Sequence, residues 1–171
     1  MEAAHYSRKR ESTGARWVAL PDYGRTLCAM TVMPPTASSV APPNNSPALE
    51  YRMWLTNTGL VKCILYLSPS LNFSADRGVR IGVSFDDEPA QIVTVVPKGY
   101  TAGDGNSDWE ESVRDAVRLV TSTHSITTPG PHKLSIWMVD PAVVVQKIVI
   151  DCGGLKPSYL GPPESPLVRG N

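Results

Sequence analysis

The stretch FDDEP carries three consecutive acids, Asp86, Asp87 and Glu88. Glycosidases work with two carboxylates that face each other across the scissile bond. Neighbours on one turn point in different directions, so this trio reads as a solvated hairpin end. Asp140, in MVDP, has the setting of a turn residue whose carboxylate holds nearby backbone. The histidines are His5, His124 and His132, and none has a metal-ligand spacing such as H-E-x-x-H. There is no G-x-S-x-G elbow, no P-loop and no G-x-G-x-x-G after a strand. GDGN at 103–106 resembles part of a calcium loop but lacks the remaining ligand positions, and reads as a surface turn. Cys28, Cys63 and Cys152 contain no CxxC and fit no zinc site. Cys28 and Cys63 fall in apolar strand patterns and read as buried free thiols. A bridge between them stays open if their strands are neighbours. No catalytic constellation emerges, so the chain is expected not to be an enzyme.

Aromatic side chains offer a different chemistry, stacking on a flat sugar face. Trp17, Tyr23, Trp54, Tyr66, Tyr100 and Trp137 are the residues that could supply it. Tyr23 lies in PDYGRT and Tyr100 in PKGYTAG, both loops, where binding residues concentrate. Trp54 and Trp137 sit opposite the apolar faces of their strands and are expected to be covered by other parts of the protein.

The elements that must position these groups show period-two alternation. ALEYRMWLT sets Leu49, Tyr51, Met53 and Leu55 on one face, and LVKCILYLS does the same for Val61, Cys63, Leu65 and Leu67. With NTG between them the two read as a β-hairpin. GVRIGVSFDD is a strand that pairs with PAQIVTVVP across DDEP. HKLSIWMVD places Leu134, Ile136 and Met138 inward, and VVVQKIVID follows as the last strand. EAAHYSR, RWVALP and GRTLCAMTVMP bring the expected total to about nine. SDWEESVRDAVRLVTSTH breaks the alternation. Trp109, Val113, Ala116, Val117 and Val120 recur at helical spacing, and Ser107 with Glu110 makes an S-x-x-E capping box. A short helix is expected at about 108–120. PPTASSVAPPNNSP is a long loop, and GGLKPSYLGPPESPLVRGN is barred from a ladder by its prolines. The fold class is therefore all-β: a two-sheet antiparallel β-sandwich, jelly-roll-like, over 1–152, with an irregular Pro/Gly-rich tail over 153–171.

The 171 residues suit one ordinary domain. Sixteen Lys plus Arg balance sixteen Asp plus Glu, which gives no electrostatic reason to expect nucleic acid or an anionic membrane as a partner. No apolar run approaches a membrane span, and MEAAHYSRKRESTG lacks the apolar core of a signal peptide. A start on strand-like sequence suggests a domain cut from a longer protein.

Several blocks resemble, in the same order, the C-terminal domain of family 115 glycoside hydrolases, the xylan α-1,2-glucuronidases. They are EAAHYSR, LPDYGRTLCAMTVMP, LEYRMWL, LSPSLNF, RIGVSFDDEP, DWEESVRDAVR and PHKLSIWMVDPAVVVQKIVIDCGGLKPSYLGPPES. The resemblance implies a β-sandwich accessory to an upstream catalytic barrel, similar to carbohydrate-binding modules of the family 6 and 35 type. It implies a plant cell-wall ligand, xylan bearing glucuronic acid; the aromatics above and the basic loop YGRT make Trp17, Tyr23, Arg25 and Tyr100 the expected carbohydrate-binding residues. Arg25 would pair with a uronic carboxylate, or instead cap a carbonyl or pair with Asp22. The resemblance also implies a structural calcium held by Glu2 and Asp151, although Ala4 stands where the family has a second acid. The expected partners are the polysaccharide and the parent's catalytic domain, and the expected location is extracellular or periplasmic, as part of a secreted enzyme. A purely structural role, docking on the barrel or mediating dimerisation, is the alternative.

Overall fold

The computed structural model describes residues 1–74 and 76–166. The tail beyond 166 lies outside them. Ten strands and one helix follow the order β1 (Arg8–Arg10), β2 (Arg16–Pro21), β3 (Cys28–Met33), β4 (Ala48–Leu55), β5 (Gly59–Leu67), β6 (Gly78–Phe85), β7 (Gln91–Pro97), α1 (Ser107–Arg114), β8 (Arg118–Ile126), β9 (Gly130–Met138) and β10 (Val144–Asp151). They form two five-stranded sheets, β1-β4-β9-β6-β7 and β2-β3-β10-β5-β8, with antiparallel pairing throughout.

The alternating strands bury one face each against the opposite sheet. Leu49, Tyr51, Ile81, Phe85, Leu134 and Ile136 of one sheet meet Val61, Cys63, Leu65, Leu67 and Ile148 of the other. Cys63 sits in that core, where burial pushes its thiol up to about 12, so it is an inert hydrophobe at neutral pH.

Three expectations are corrected. β4 and β5 are not a hairpin, because they belong to different sheets. Two apolar faces meeting across a sandwich give the same alternation as two paired strands, so the pattern alone does not separate them. The consecutive strands that pair are β2 with β3 and β6 with β7; the latter is the expected hairpin across DDEP. Second, Cys28 and Cys63 cannot be bridged. β10 runs between β3 and β5, which sets the two chains about 9–10 Å apart, too far for a disulfide.

Third, the helix ends at Arg114 rather than near 120. Asn106, not Ser107, is its N-cap, accepting from the Trp109 N–H, while Glu110 accepts from the Gly105 N–H. Ala116 then takes a left-handed turn with φ +51°, and the chain leaves as β8. β8 alternates strictly, with Arg118, Val120, Ser122, His124 and Ile126 inward. Three of those five are polar, which hid the strand from a hydrophobicity reading.

Beyond β10, residues 152–166 have no regular structure and lie on the outer face of the β2-β3-β10-β5-β8 sheet. Tyr66 and Val149 of that face form a small apolar cluster with Val117. The Tyr66 ring stands against Gly161, where an added Cβ would come within 3.0 Å of the hydroxyl. Lys147 donates to the Leu160 carbonyl at 2.9 Å, and the Glu164 carboxylate receives the Glu2 N–H at 2.8 Å and faces His5 Nδ1 at 2.8 Å. The N-terminal segment and the tail thus clasp each other across the sheet.

Candidate functional site

A cleft of about 310 Å³ opens between α1, the start of β8 and the tail. Its position follows from the left-handed turn at Ala116, which folds α1 back over the sheet end. Asp108, Glu111 and Ser112 of α1 form one wall, and Tyr66 and Leu119 the floor. Arg25, Ser158 and Tyr159 close the other side.

Arg118 is the charged side chain at its base and is 8 % exposed. Its Nη1 donates to Asp108 Oδ2 at 2.9 Å. The guanidinium lies over the Tyr100 ring, 4.7 Å from the centroid, a cation–π contact. Nε and Nη2 have no hydrogen-bond partner among the described residues. Both nitrogens are closed to solvent, and leaving donors of a buried cation unsatisfied costs at least about 1–3 kcal/mol.

The expected binding residues fall in different places. Trp17 is 1 % exposed and belongs to the core between the sheets, so neither ring face is open to a sugar. Tyr23 is half-exposed on the β2–β3 turn, outside the cleft. Tyr100 is half-buried and acts through Arg118, as its stacking platform. Arg25 reaches the cleft, but its fork is spent. Nε donates to the Asp115 carbonyl at 2.8 Å, Nη2 donates to the same oxygen, and Nη1 donates to the Tyr159 carbonyl. Arg25 therefore caps the C-terminal end of α1 and fixes the tail, with its guanidinium 3.9 Å from the Tyr159 ring centroid. Of the two aromatics expected under cover, Trp137 is buried, with its indole N–H on Ser84 Oγ at 2.9 Å, whereas Trp54 is 70 % exposed.

Sequence reading missed Arg118, Asp108, Glu111 and Tyr159. Arg118 was hidden by extending the helix through 120, whereas Asp108 and Glu111 lie in the helix as expected and only tertiary packing sets them beside Arg118. Tyr159, 63 % exposed, sat in a tail that had no predictable geometry.

The two acids expected at a calcium ion are not brought together. Glu2 lies opposite Lys147, whose Nζ is 3.4 Å from its carboxylate, and Thr26 donates to the same carboxylate. Asp151 stands four residues further along β10, about 13 Å away at the rise of a strand, and accepts from the Gly153 N–H. Among the described residues no group of three or more His, Cys, Asp or Glu could hold a metal. An ammonium already neutralises Glu2, so these donors do not fit a calcium ion.

The fold resembles solved carbohydrate-active proteins. A family 115 4-O-methyl-α-glucuronidase, BtGH115A, with specificity for decorated arabinogalactans matches at 17 % identity and TM-score 0.60, over 85 % of this chain and 17 % of that one. The exo-β-1,3-galactanase of Phanerochaete chrysosporium, solved with galactose, matches at 16 % and 0.54, over 88 % of this chain and 28 % of that one. A carbohydrate-binding module of Cellvibrio mixtus lichenase 5A, solved with cellotriose, matches at 11 % and 0.53, over 90 % of this chain and 96 % of that one. The chain thus spans less than a third of the two enzymes and nearly the whole of the module. No curated protein matches it in sequence. The model of the glycosyl hydrolase family 115 C-terminal domain matches residues 1–164, so the chain belongs to that family.

Proposed function

We propose that this domain is a non-catalytic carbohydrate-binding domain that serves a family 115 α-glucuronidase, and that the cleft takes a uronic acid group of a hemicellulose such as glucuronoxylan. The observation that carries the reading is the buried Arg118 guanidinium beside a cleft, with two nitrogens that have no partner among the described residues. A uronic carboxylate is a planar acceptor of the kind a guanidinium fork recognises. Tyr159 supplies ring surface, and Asp108 and Glu111 supply acceptors for sugar hydroxyls. The folds it resembles support the class of ligand: one was solved with cellotriose, and one belongs to a glucuronidase specific for decorated arabinogalactans. The domain would then act outside the cell or in the periplasm, tethering its catalytic partner to the wall polymer.

Calorimetry of the purified chain with glucuronoxylan, an acid-bearing arabinogalactan and free glucuronic acid tests this. The expected result is heat with at least one polymer, weakened in Glu111→Gln and Tyr159→Ala, and no glucuronic acid released. Silence with all three ligands, or release of the acid, overturns it.

A second reading, a docking domain, is favoured by the exposed Leu119, Tyr159 and Leu160 around the tail. It predicts that the same two substitutions leave sugar binding at zero and loosen the parent enzyme's domains.

A further inference from the structure

The outer face of the β1-β4-β9-β6-β7 sheet lies on the opposite side of the sandwich from the tail. Along β4 it presents Glu50, Arg52 and Trp54, directly opposite Ser135, Lys133 and Pro131 of β9. β1 adds Arg8 opposite Glu50, and Arg10 one pair further along.

Two features of this face run against what a solvated sheet needs. Arg52 and Lys133 are a directly opposed like-charged pair, which is destabilising in a ladder. Glu50 does not relieve it, being already shared between Arg8 at 4.0 Å and Arg10 at 3.8 Å, and Asp87 reaches only the Lys133 ammonium, at 3.6 Å. Beside that pair Trp54 stands with 70 % of its surface in water, near the end of β4 and opposite Pro131. Trp137, six residues further along β9 on the same face, is covered by contrast, with the Arg10 guanidinium 5.0 Å from its ring centroid. Where the fold has no use for an open indole it closes one; at Trp54 it leaves the face free.

We propose that this strip is a second binding surface, separate from the cleft, for a polysaccharide chain that bears carboxylates. Trp54 gives a sugar ring its stacking face, and Arg52 with Lys133 receives a carboxylate hung from the same chain. An anion there turns the opposed cations from a cost into a recognition element. A protein partner is the less favoured occupant, because the strip is one indole among charged side chains rather than an apolar patch. The inference rests on the carbohydrate reading for its polymer class only; it needs no ligand in the cleft.

Affinity electrophoresis of the full chain in gels containing glucuronoxylan, carboxyl-reduced glucuronoxylan or polygalacturonate tests it, with thermal melts to confirm folding. Trp54→Ala and Arg52→Gln alter exposed side chains, so both variants are expected to fold. The expected result is retardation by an acid-bearing polymer that falls about tenfold in each variant and is weak on the reduced polymer. Tyr159→Ala should keep that Trp54-dependent part. If Tyr159→Ala loses all binding while Trp54→Ala and Arg52→Gln match the wild type, the strip is overturned and the cleft stands. If polygalacturonate retards the chain through Trp54 but no xylan does, the strip stands and the xylan reading falls. Equal retardation by reduced and native xylan, or none by any polymer, overturns the strip.

Discussion

At the residue scale, two buried histidines respond to protons in opposite senses. His132 places Nδ1 at 2.8 Å from Asp86 Oδ2 and Nε2 at 2.9 Å from the Thr128 carbonyl, so both nitrogens face acceptors and the ring is held as an imidazolium. The hydrogen bond to Asp86 raises its pKa against the opposing effect of burial. Its stabilisation is complete below the ordinary histidine value near 6.5 and is lost as pH rises through the raised one. His124 packs on Phe85 with Ser122 and Gln91 at its nitrogens, and burial lowers its pKa although Glu88 lies 4.0 Å away. It folds neutral, so stability falls as pH drops from about 6.5 toward its lowered value. A titration followed by NMR should show the His132 ring changing above 6.5 and the His124 ring below it. Asp140 is the third such residue, with a side chain that is 0 % exposed. Burial opposes its ionisation, but Arg80 at 2.9 Å, Ser39 and Arg77 at 3.0 Å together hold its carboxyl below the usual range. It therefore stabilises the fold above the ordinary carboxylate range, and that contribution fades as pH falls through the lowered value. Asp140→Asn should cost about 2–4 kcal/mol at pH 7, read from denaturant melts, because two arginines lose their anion.

At the element scale, the tail is a roof over one sheet. Truncation after Cys152 would expose Tyr66 and Val149, release the Lys147 ammonium from the Leu160 carbonyl and free Arg25 from Tyr159. The sandwich core does not include these groups, so the truncated chain should still fold, about 1–3 kcal/mol less stable by the apolar area uncovered. Lys147 is the counter-charge of Glu2 beneath that roof, so melting with and without EDTA should give the same Tm. Melting that drops in chelator would show that a divalent ion is held after all. These elements also show what was legible beforehand. The inward faces of β4, β5, β6 and β9 follow from their alternation, because one apolar side per strand is what a sandwich consumes. Which strands pair did not follow, since facing and pairing leave the same pattern. The cleft was illegible for a related reason. Arg118 is an inward position of a strand whose inward side chains are mostly polar, and its partners come from a helix and a tail that only tertiary packing brings beside it.

At the scale of the whole molecule, sixteen cations and sixteen anions cancel, yet they are not evenly spread. The cleft gathers Asp108, Glu111 and Asp115 around its two arginines, while the opposite sheet face sets Arg8, Arg10, Arg52 and Lys133 against Glu50 and Asp87. Attraction to an acidic polymer would then come from local fields rather than from net charge, and salt should separate the two surfaces. Exposed charges are screened over about 10 Å at 0.1 M salt and about 3 Å at 1 M, whereas a buried cation is shielded far less. Arg52 is exposed and Arg118 is buried. Binding of glucuronoxylan measured at about 0.05 M and about 1 M salt should therefore behave differently in two variants. Arg52→Gln should bind several-fold more weakly than wild type at low salt and become indistinguishable from it at high salt. Tyr159→Ala should differ from wild type by a similar factor at both, because it removes ring surface and no charge. Salt dependence of equal slope in both comparisons would mean that one surface, not two, meets the polymer.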